Sequence, residues 1–513
     1  MVKTFAAIDV GSYELSMKIY EVSRKNGMRQ IDHVRRNIDM GTETYSKGIL
    51  SYDRVDELCT VLKEFKKIMN SYKVSDYKAY GTSAIREVKN TEILIDLVMQ
   101  RTGIKIEAIS NSEQRFLDYK SVAFQGEIFD TYISKPTAIL DIGGGSIQLS
   151  LFENDTLYAT QNMKLGVLRL LDRLNTIGAS YMQGNKLVRE LCDAQLNTYK
   201  KLYLKDNSVE NLILIDDSIS RILNNKNNPL GGKNMVSLEE LASMFKGFSE
   251  LSRNELARRL SVSEADVMKL YASLILVKSV LDTTGAKNLW APGVTLCDGM
   301  AYEYAENTEK ITTNHDFEKD IRACALQISK RYSGSKKRAE TLEKIALTIF
   351  DATEAINGLS KRDRLLLQIS SYLHDCGKYI SMANLSECSY EIIKNTEIIG
   401  ISHRERVIVA NVVRYNQEEF DYYLDFNDHE HIEAVDHMRI AKLTALLRLA
   451  NGLDRSHKMK FKDVLVSIEG DELLIQVDTN VDITLEKGLF GNRAAFFEEV
   501  YNLKPVIKQR KSI

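Results

Sequence analysis

The chain has 513 residues, which by length suits three or four domains. Charged residues are 27% and hydrophobic residues 44% of it, and no apolar run is long enough to span a bilayer as a helix. The formal net charge of −2 speaks against bulk binding of nucleic acid, so the expected protein has neither a membrane nor a specific nucleic-acid partner.

In chain order, the start lacks the shape of a signal peptide, because Asp9 interrupts the first apolar segment almost at once. The six cysteines lie far apart without CxxC spacing, which suggests neither a zinc ribbon nor a disulfide framework; a cytoplasmic location is expected. Ala6–Asp9 is an apolar run ending in Asp, followed by Gly11, Ser12 and a second alternating run to Ser16. The pattern returns at Ala138–Asp141, with Gly143, Gly144, Gly145 and Ser146 before Ile147–Ser150. Each copy reads as a buried strand, a tight glycine turn and a return strand. Glycines in such a turn let backbone N–H groups approach an anion, and the serine hydroxyl adds a donor. An Asp at the end of a buried strand is costly unless a cation or donor meets it. Two such hairpins therefore suggest a clamp for a phosphate chain and its metal.

Between and beyond the hairpins, helical spacing is clear in Tyr52–Tyr72, and Lys78–Gly81 and Asn211–Asp216 read as strands. From about Glu306 amphipathic helical patterns dominate, clearest in Arg322–Tyr332, Arg338–Asn357, Arg362–Tyr372 and Arg404–Tyr415. His429, His431 and His437 fall in a charged helical stretch and are expected to be solvated. Val464–Glu469 and Leu473–Asp478 alternate around Gly470-Asp471 as a β-hairpin; a short helix over Ala494–Tyr501 and a basic tail, Lys508–Lys511, follow.

The order Asp9-Val10-Gly11-Ser12, Gly81-Thr82-Ser83-Ala84-Ile85-Arg86, Ser112-Glu113-Gln114-Arg115, Asp141–Ser146 and Leu165–Leu170 resembles the exopolyphosphatase and guanosine pentaphosphate phosphohydrolase (Ppx/GppA) family. Lys330-Arg331-Tyr332, Tyr372–Gly377, Ser402–Arg406 and Leu446–Ser456 resemble that family's HD-type helical part. The resemblance implies an α/β fold of two ribonuclease H-like, actin or sugar-kinase type lobes (1–130 and 131–304). An all-helical HD-like domain (305–460) and a small α+β C-terminal piece (461–513) would follow. It implies a Mg²⁺-dependent phosphohydrolase releasing terminal phosphate from polyphosphate or guanosine pentaphosphate, and leaves a homodimer open.

By the same resemblance, Glu113 of the Glu-x-Arg motif would be the base that activates water. Gly11, Ser12, Arg86, Gly144, Gly145 and Ser146 would hold phosphates, Arg169 falls on a further family position, and Asp141 would hold the metal. Tyr13, Gln148 and Cys297 depart from the family pattern: a small donor becomes a phenol, a carboxylate becomes an amide and an arginine is lost. Aligning Ser12 with Ser146 places Glu14 opposite Gln148, so Glu14 could restore the lost carboxylate. The His374-Asp375 pair could centre an HD metal site. Lys337 or Arg338 and Asn451 stand where its other ligands belong, and Ser386-Glu387-Cys388-Ser389 replaces a His-Lys-His-Ser stretch, which favours a structural or ligand-binding role. The alternatives to a hydrolase are a catalytically weak regulatory protein that binds polyphosphate or an alarmone, and a kinase on the same lobes.

Overall fold

Six consecutive buried residues, Thr137–Ile142, form the central strand of the larger sheet, as expected for a strand covered on both faces. In the computed structural model, residues 2–510 are described except 178–180, 225–232, 250, 261, 424–431 and 462–463; His429, His431 and Lys511 therefore lie outside the described residues. The chain divides into two units, Met1–Asp316 and Phe317–Ile513.

The first unit holds two sheets. One contains β1 (Lys3–Val10), β2 (Glu14–Ser23), β3 (Gly27–Asn37), β4 (Asp76–Gly81) and β5 (Glu107–Ala108), in the order β3-β2-β1-β4-β5. The other contains β6 (Thr137–Ile142), β7 (Ile147–Glu153), β8 (Thr156–Met163), β9 (Asn211–Ile215), β10 (Met235–Ser237) and β11 (Asn288–Trp290), in the order β10-β11-β9-β6-β7-β8. In each, an antiparallel meander leads into parallel pairing of its first strand, β1 with β4 and β6 with β9. The repeat read in the sequence is thus a repeat of topology, and it places Asp9 and Asp141 near the ends of equivalent strands.

Both faces of the first sheet are covered. Ile8, Val10 and Met17 pack with Leu58, Leu62 and Phe65 of the Tyr52–Ser71 helix, and Phe5, Ala7 and Tyr20 pack with Cys297, Met300 and Ala301 of the Leu296–Glu309 helix. Cys297 is therefore a core residue. Its Sγ donates to the Ala7 carbonyl at 3.4 Å, and burial pushes the thiol up. In the second sheet Leu140 and Leu149 meet Leu274, Val277 and Leu281 of the Glu264–Thr284 helix, which starts at the Ser263 cap and stops at Gly285, φ 76°.

The second unit is helical, with helices over Phe317–Arg331, Lys336–Ala352, Lys361–Leu373, Leu385–Asn395, His403–Tyr415 and Ala434–Leu453. Capping boxes at Ser360 and Ser402 start two of them. The helix expected over Arg338–Asn357 breaks at Thr353, before a short turn of helix over Glu354–Asn357. The end of the chain differs from expectation twice. Its helix runs over all of Thr484–Tyr501, through Gly488 and Gly491. The basic segment is no tail: Lys504–Arg510 is β14, a parallel partner of β13 (Glu472–Asp478), which pairs with β12 (Val464–Glu469). Its alternation of half-buried and exposed residues was masked by its charge. His437 is half-buried, its Nε2 2.9 Å from the Asp421 carbonyl. Among the described residues no helix is long and apolar enough to cross a membrane.

Candidate active site

The two hairpins close with the same turn. Gly11 N–H donates to the Glu14 carbonyl at 3.2 Å, and Gly143 N–H to the Ser146 carbonyl at 2.9 Å. Pairing register sets Asp9 opposite Ser16 and Asp141 opposite Gln148. The hairpins therefore match without a gap: Ser12 with Gly144, Glu14 with Ser146, and Ser16 with Gln148. This overturns the alignment on the serine hydroxyls, which required two extra residues that the backbone does not contain. Glu14 is not the counterpart of Gln148, and its carboxylate is held by Arg221 at 2.7 Å and Arg35 at 3.5 Å. Gln148 is buried and donates from Nε2 to Thr160 Oγ1 at 2.6 Å.

The turns approach each other closely. A Cβ on Gly144 would lie 3.1 Å from Ser12 Cβ, and one on Gly145 would lie 2.7 Å from the Tyr45 hydroxyl. Only glycine fits at Gly145 without displacing that phenol. Ser12, Ser83 and Tyr45 form a triangle of hydroxyls, with oxygens 2.7, 2.8 and 2.9 Å apart. Arg169 braces the second turn from behind, donating to the Gly145 carbonyl at 3.0 Å and pairing with Glu87 at 2.8 Å.

Between these parts lies a cavity of about 240 Å³. Gly11, Ser12, Arg86, Asp141, Gly144, Gly145 and Ser146 all line it, so the structure brings seven of the expected site residues together. Arg86 donates to the Ile109 carbonyl at 2.6 Å and to Asn111. Glu113 is placed elsewhere. It is the third residue of the Asn111–Ala123 helix, where its carboxylate accepts from Ser110 N–H at 2.9 Å while Ser110 Oγ accepts from Glu113 N–H at 3.2 Å. That is a helix cap. Gln114, Arg115 and Asp118 of the same helix line the cavity instead. The sequence reading missed Asp118; the signal available was its spacing from Arg115, three residues along one helix face.

Asp118 and Asp141 share a single guanidinium, and Asp9 adds a third carboxylate beside Asp141. Arg115 pairs with Asp141, reaches Asp118 at 3.9 Å and donates to the Ser146 carbonyl at 3.3 Å. Asp9 Oδ1 and Asp141 Oδ2 are buried with no hydrogen-bond partner among the described residues. Burial, then the charges of Asp217, Glu14 and Asp141, push the Asp9 carboxyl up to about 8. Burial and then Asp141 push Asp118 well above the usual carboxylate range. The cluster is short of positive charge, and two orphaned oxygens mark where it is short. Among the described residues no group of three or more His, Cys, Asp or Glu is arranged to hold a metal alone. The partial set suits an ion bound by one or two carboxylates and completed by water and phosphate, the habit of Mg²⁺.

The second unit holds a different centre. Arg338 pairs with Asp375 at 3.0 Å and Asp454 at 3.6 Å, and donates to Asn451 Oδ1 at 3.3 Å. Lys378 adds a second cation 3.1 Å from Asp375. His374 Nδ1 lies 2.9 Å from the Ser371 carbonyl, and burial lowers the imidazole to about 4 although Asp375 is beside it. Burial would raise Asp375, but His374, Lys378 and Arg338 outweigh it and hold the carboxyl below its ordinary value. These residues do not fit a metal ion, because a guanidinium already lies among the would-be ligands.

Comparison with known proteins gives the family of the chain. The sequence profile described as the Ppx/GppA phosphatase family matches residues 19–308, and that of its domain III matches residues 321–492. A guanosine-5'-triphosphate,3'-diphosphate pyrophosphatase of Photobacterium profundum is 20% identical over 87% of this chain and 86% of its own length. Exopolyphosphatase 1 of Mycobacterium tuberculosis is 25% identical over 32% of this chain and 46% of its own. Among solved structures, the Aquifex aeolicus member of the Ppx/GppA family covers 60% of this chain and 99% of its own, at TM-score 0.50 and 21% identity. An exopolyphosphatase of Cytophaga hutchinsonii covers 60% and 98%, at TM-score 0.52 and 18% identity. The fold is a mixed α/β, actin-like one followed by a helical C-terminal unit. With profiles matching both units in order, the chain belongs to the Ppx/GppA phosphatase family.

Proposed function

We propose that this protein is a Mg²⁺-dependent phosphohydrolase that releases terminal phosphate from inorganic polyphosphate or guanosine pentaphosphate. The observation that carries this reading is the pair of orphaned carboxylate oxygens, on Asp9 and Asp141, in a cavity walled by two glycine turns. Asp141, with Asp9, would hold the divalent ion. When bound, the ion neutralises phosphate charge and polarises the phosphoryl group. Backbone N–H groups of Gly11-Ser12 and Gly144-Gly145-Ser146, with Arg86, would hold and orient the phosphates.

Activation of water, expected of Glu113, passes in this reading to Asp118, the carboxylate of that helix that lines the cavity. The activities for which these relatives are named support the reaction class. Two of the three departures from the family pattern, Gln148 and Cys297, are buried side chains that do not line the cavity among its described residues. They weaken the case for a lost activity.

In the same reading the domains are two ribonuclease H-like lobes (1–130 and 131–304), an HD-like helical domain (305–460) and an α+β piece (461–513). Six free cysteines suit a reducing cytoplasm. The test is phosphate release from polyphosphate and guanosine pentaphosphate by the purified full chain, with and without Mg²⁺. Release that needs the ion and vanishes in Asp141→Asn supports the assignment; Mg²⁺-independent release, or none from either substrate, overturns it.

A further inference from the structure

Three segments that face the cavity meet at one residue behind it. Ser12 of the first turn and Ser83 line the cavity, whereas Tyr45 is not part of its lining among the described residues. The Tyr45 oxygen nonetheless lies 2.7 Å from Ser12 Oγ and 2.8 Å from Ser83 Oγ, and a Cβ on Gly145 of the second turn would meet it at 2.7 Å. Its place is fixed by the Gly41–Lys47 helix that carries it. Gly41 N–H donates to the Ser12 carbonyl at 2.6 Å, which ties that helix to the first turn. Thr44 Oγ1 donates to the Ala84 carbonyl at 3.1 Å, which ties it to the segment of Ser83. The Arg169 guanidinium covers the phenol ring, 4.8 Å from its centre.

A count of protons gives the consequence. Three hydroxyls carry three protons, and the contacts of the triangle, at 2.7, 2.8 and 2.9 Å, consume all of them. Ionised phosphate oxygens accept and do not donate, so a phosphate that takes a bond from Ser12 or Ser83 opens the ring. Burial raises the phenol above its ordinary value, so Tyr45 keeps its proton at neutral pH. Lying behind the lining, Tyr45 can give that proton only to a serine. The opened ring is then a chain from Tyr45 through a serine to the phosphate, in which each bond polarises the next.

Resting on the phosphohydrolase reading, we infer that Tyr45 is a positioning residue for the substrate phosphates. It directs the Ser12 and Ser83 protons into the cavity and touches no ligand itself.

The test is calorimetric binding of inorganic tripolyphosphate to the full chain in Mg²⁺, with phosphate release followed in parallel. Tyr45→Phe keeps the ring beneath Arg169 and should weaken binding about three- to tenfold, the scale of one hydrogen bond. The same substitution in a Ser12→Ala/Ser83→Ala protein should cost less than about twofold, because no serine hydroxyl is left to direct. A phenol that only spaces the turns would cost the same on both backgrounds. That result, or wild-type affinity in Tyr45→Phe, would overturn the positioning role while leaving the hydrolase reading intact. If the backgrounds differ as stated but the wild type releases no phosphate, the positioning role stands and the hydrolase reading fails. A wild type that binds no tripolyphosphate overturns both.

Discussion

Each unit of this protein buries a group of aspartates around one arginine, and the two groups differ in how well that arginine suffices. In the first unit Arg115 pairs with Asp141 and reaches Asp118, one oxygen each of Asp9 and Asp141 goes without a hydrogen-bond partner, and Asp9 is driven up to about 8 by burial and by neighbouring acids. In the second, Arg338 and Lys378 serve Asp375 and Asp454, and Asp375 stays below its ordinary value. Burying charge is tolerable only where opposite charge is supplied. The first cluster is thus one cation short, and the shortage is where a metal–phosphate complex can enter. The second carries its cation as a side chain: Asp454 Oδ2 also lacks a hydrogen bond, but it lies 3.6 Å from Arg338 Nε. The same residue types leave one group short of positive charge and supply the other with it.

The comparison breaks most visibly at catalysis. Asp118→Asn should lower phosphate release by about 10²–10⁴-fold, the usual worth of a positioned acid or base. Glu113→Gln should leave turnover within about threefold of wild type and instead weaken a helix cap, by about 0.5–2 kcal/mol at most. Steady-state kinetics of the two variants, read beside their thermal melts, separates the roles; the opposite pattern would return Glu113 to the mechanism.

Stability gives the next largest contrast. Arg338→Met leaves Asp375 and Asp454 buried without their guanidinium and should cost about 3–5 kcal/mol in urea unfolding, with or without Mg²⁺. Arg115→Met should destabilise its unit as well, but millimolar Mg²⁺ should restore much of the loss, because a divalent ion can meet the freed carboxylates. Equal Mg²⁺ rescue of both variants would remove the distinction.

Protonation gives the smallest effect. Burial holds His374 at about 4 in the folded chain against 6.5 ordinarily, so the unfolded chain binds the extra proton between those values. Its contribution is fully present above about pH 6.5 and is lost as pH falls through about 4. Comparing wild type with His374→Gln from pH 7 down to 4 should show a shallower fall in the variant.

How much of this was readable beforehand depends on how local the signal is. The glycine turns, the strands ending at Asp9 and Asp141 and the helix caps are written in adjacent residues, and they were legible. Asp118 was not, because its place in the cavity follows from which face of the Asn111–Ala123 helix lines it. For Glu113 the motif was legible, but not that the N3 position directs its carboxylate back to Ser110. Gln148 and Glu14 were matched through a chemical likeness, the turn serine, when backbone register decides the equivalence. The Arg338 centre draws on residues more than a hundred positions apart, so the sequence could show missing ligands but not the guanidinium that lies among them.

The claim at the centre of this comparison is that the first cluster takes a divalent ion and the second does not. Mn²⁺ binding to the full chain, followed by electron paramagnetic resonance with inorganic tripolyphosphate present, tests it most directly on wild type, Asp141→Asn and His374→Ala. Saturable binding that is lost in Asp141→Asn and kept in His374→Ala is the predicted result. Binding that survives Asp141→Asn and disappears in His374→Ala would contradict it.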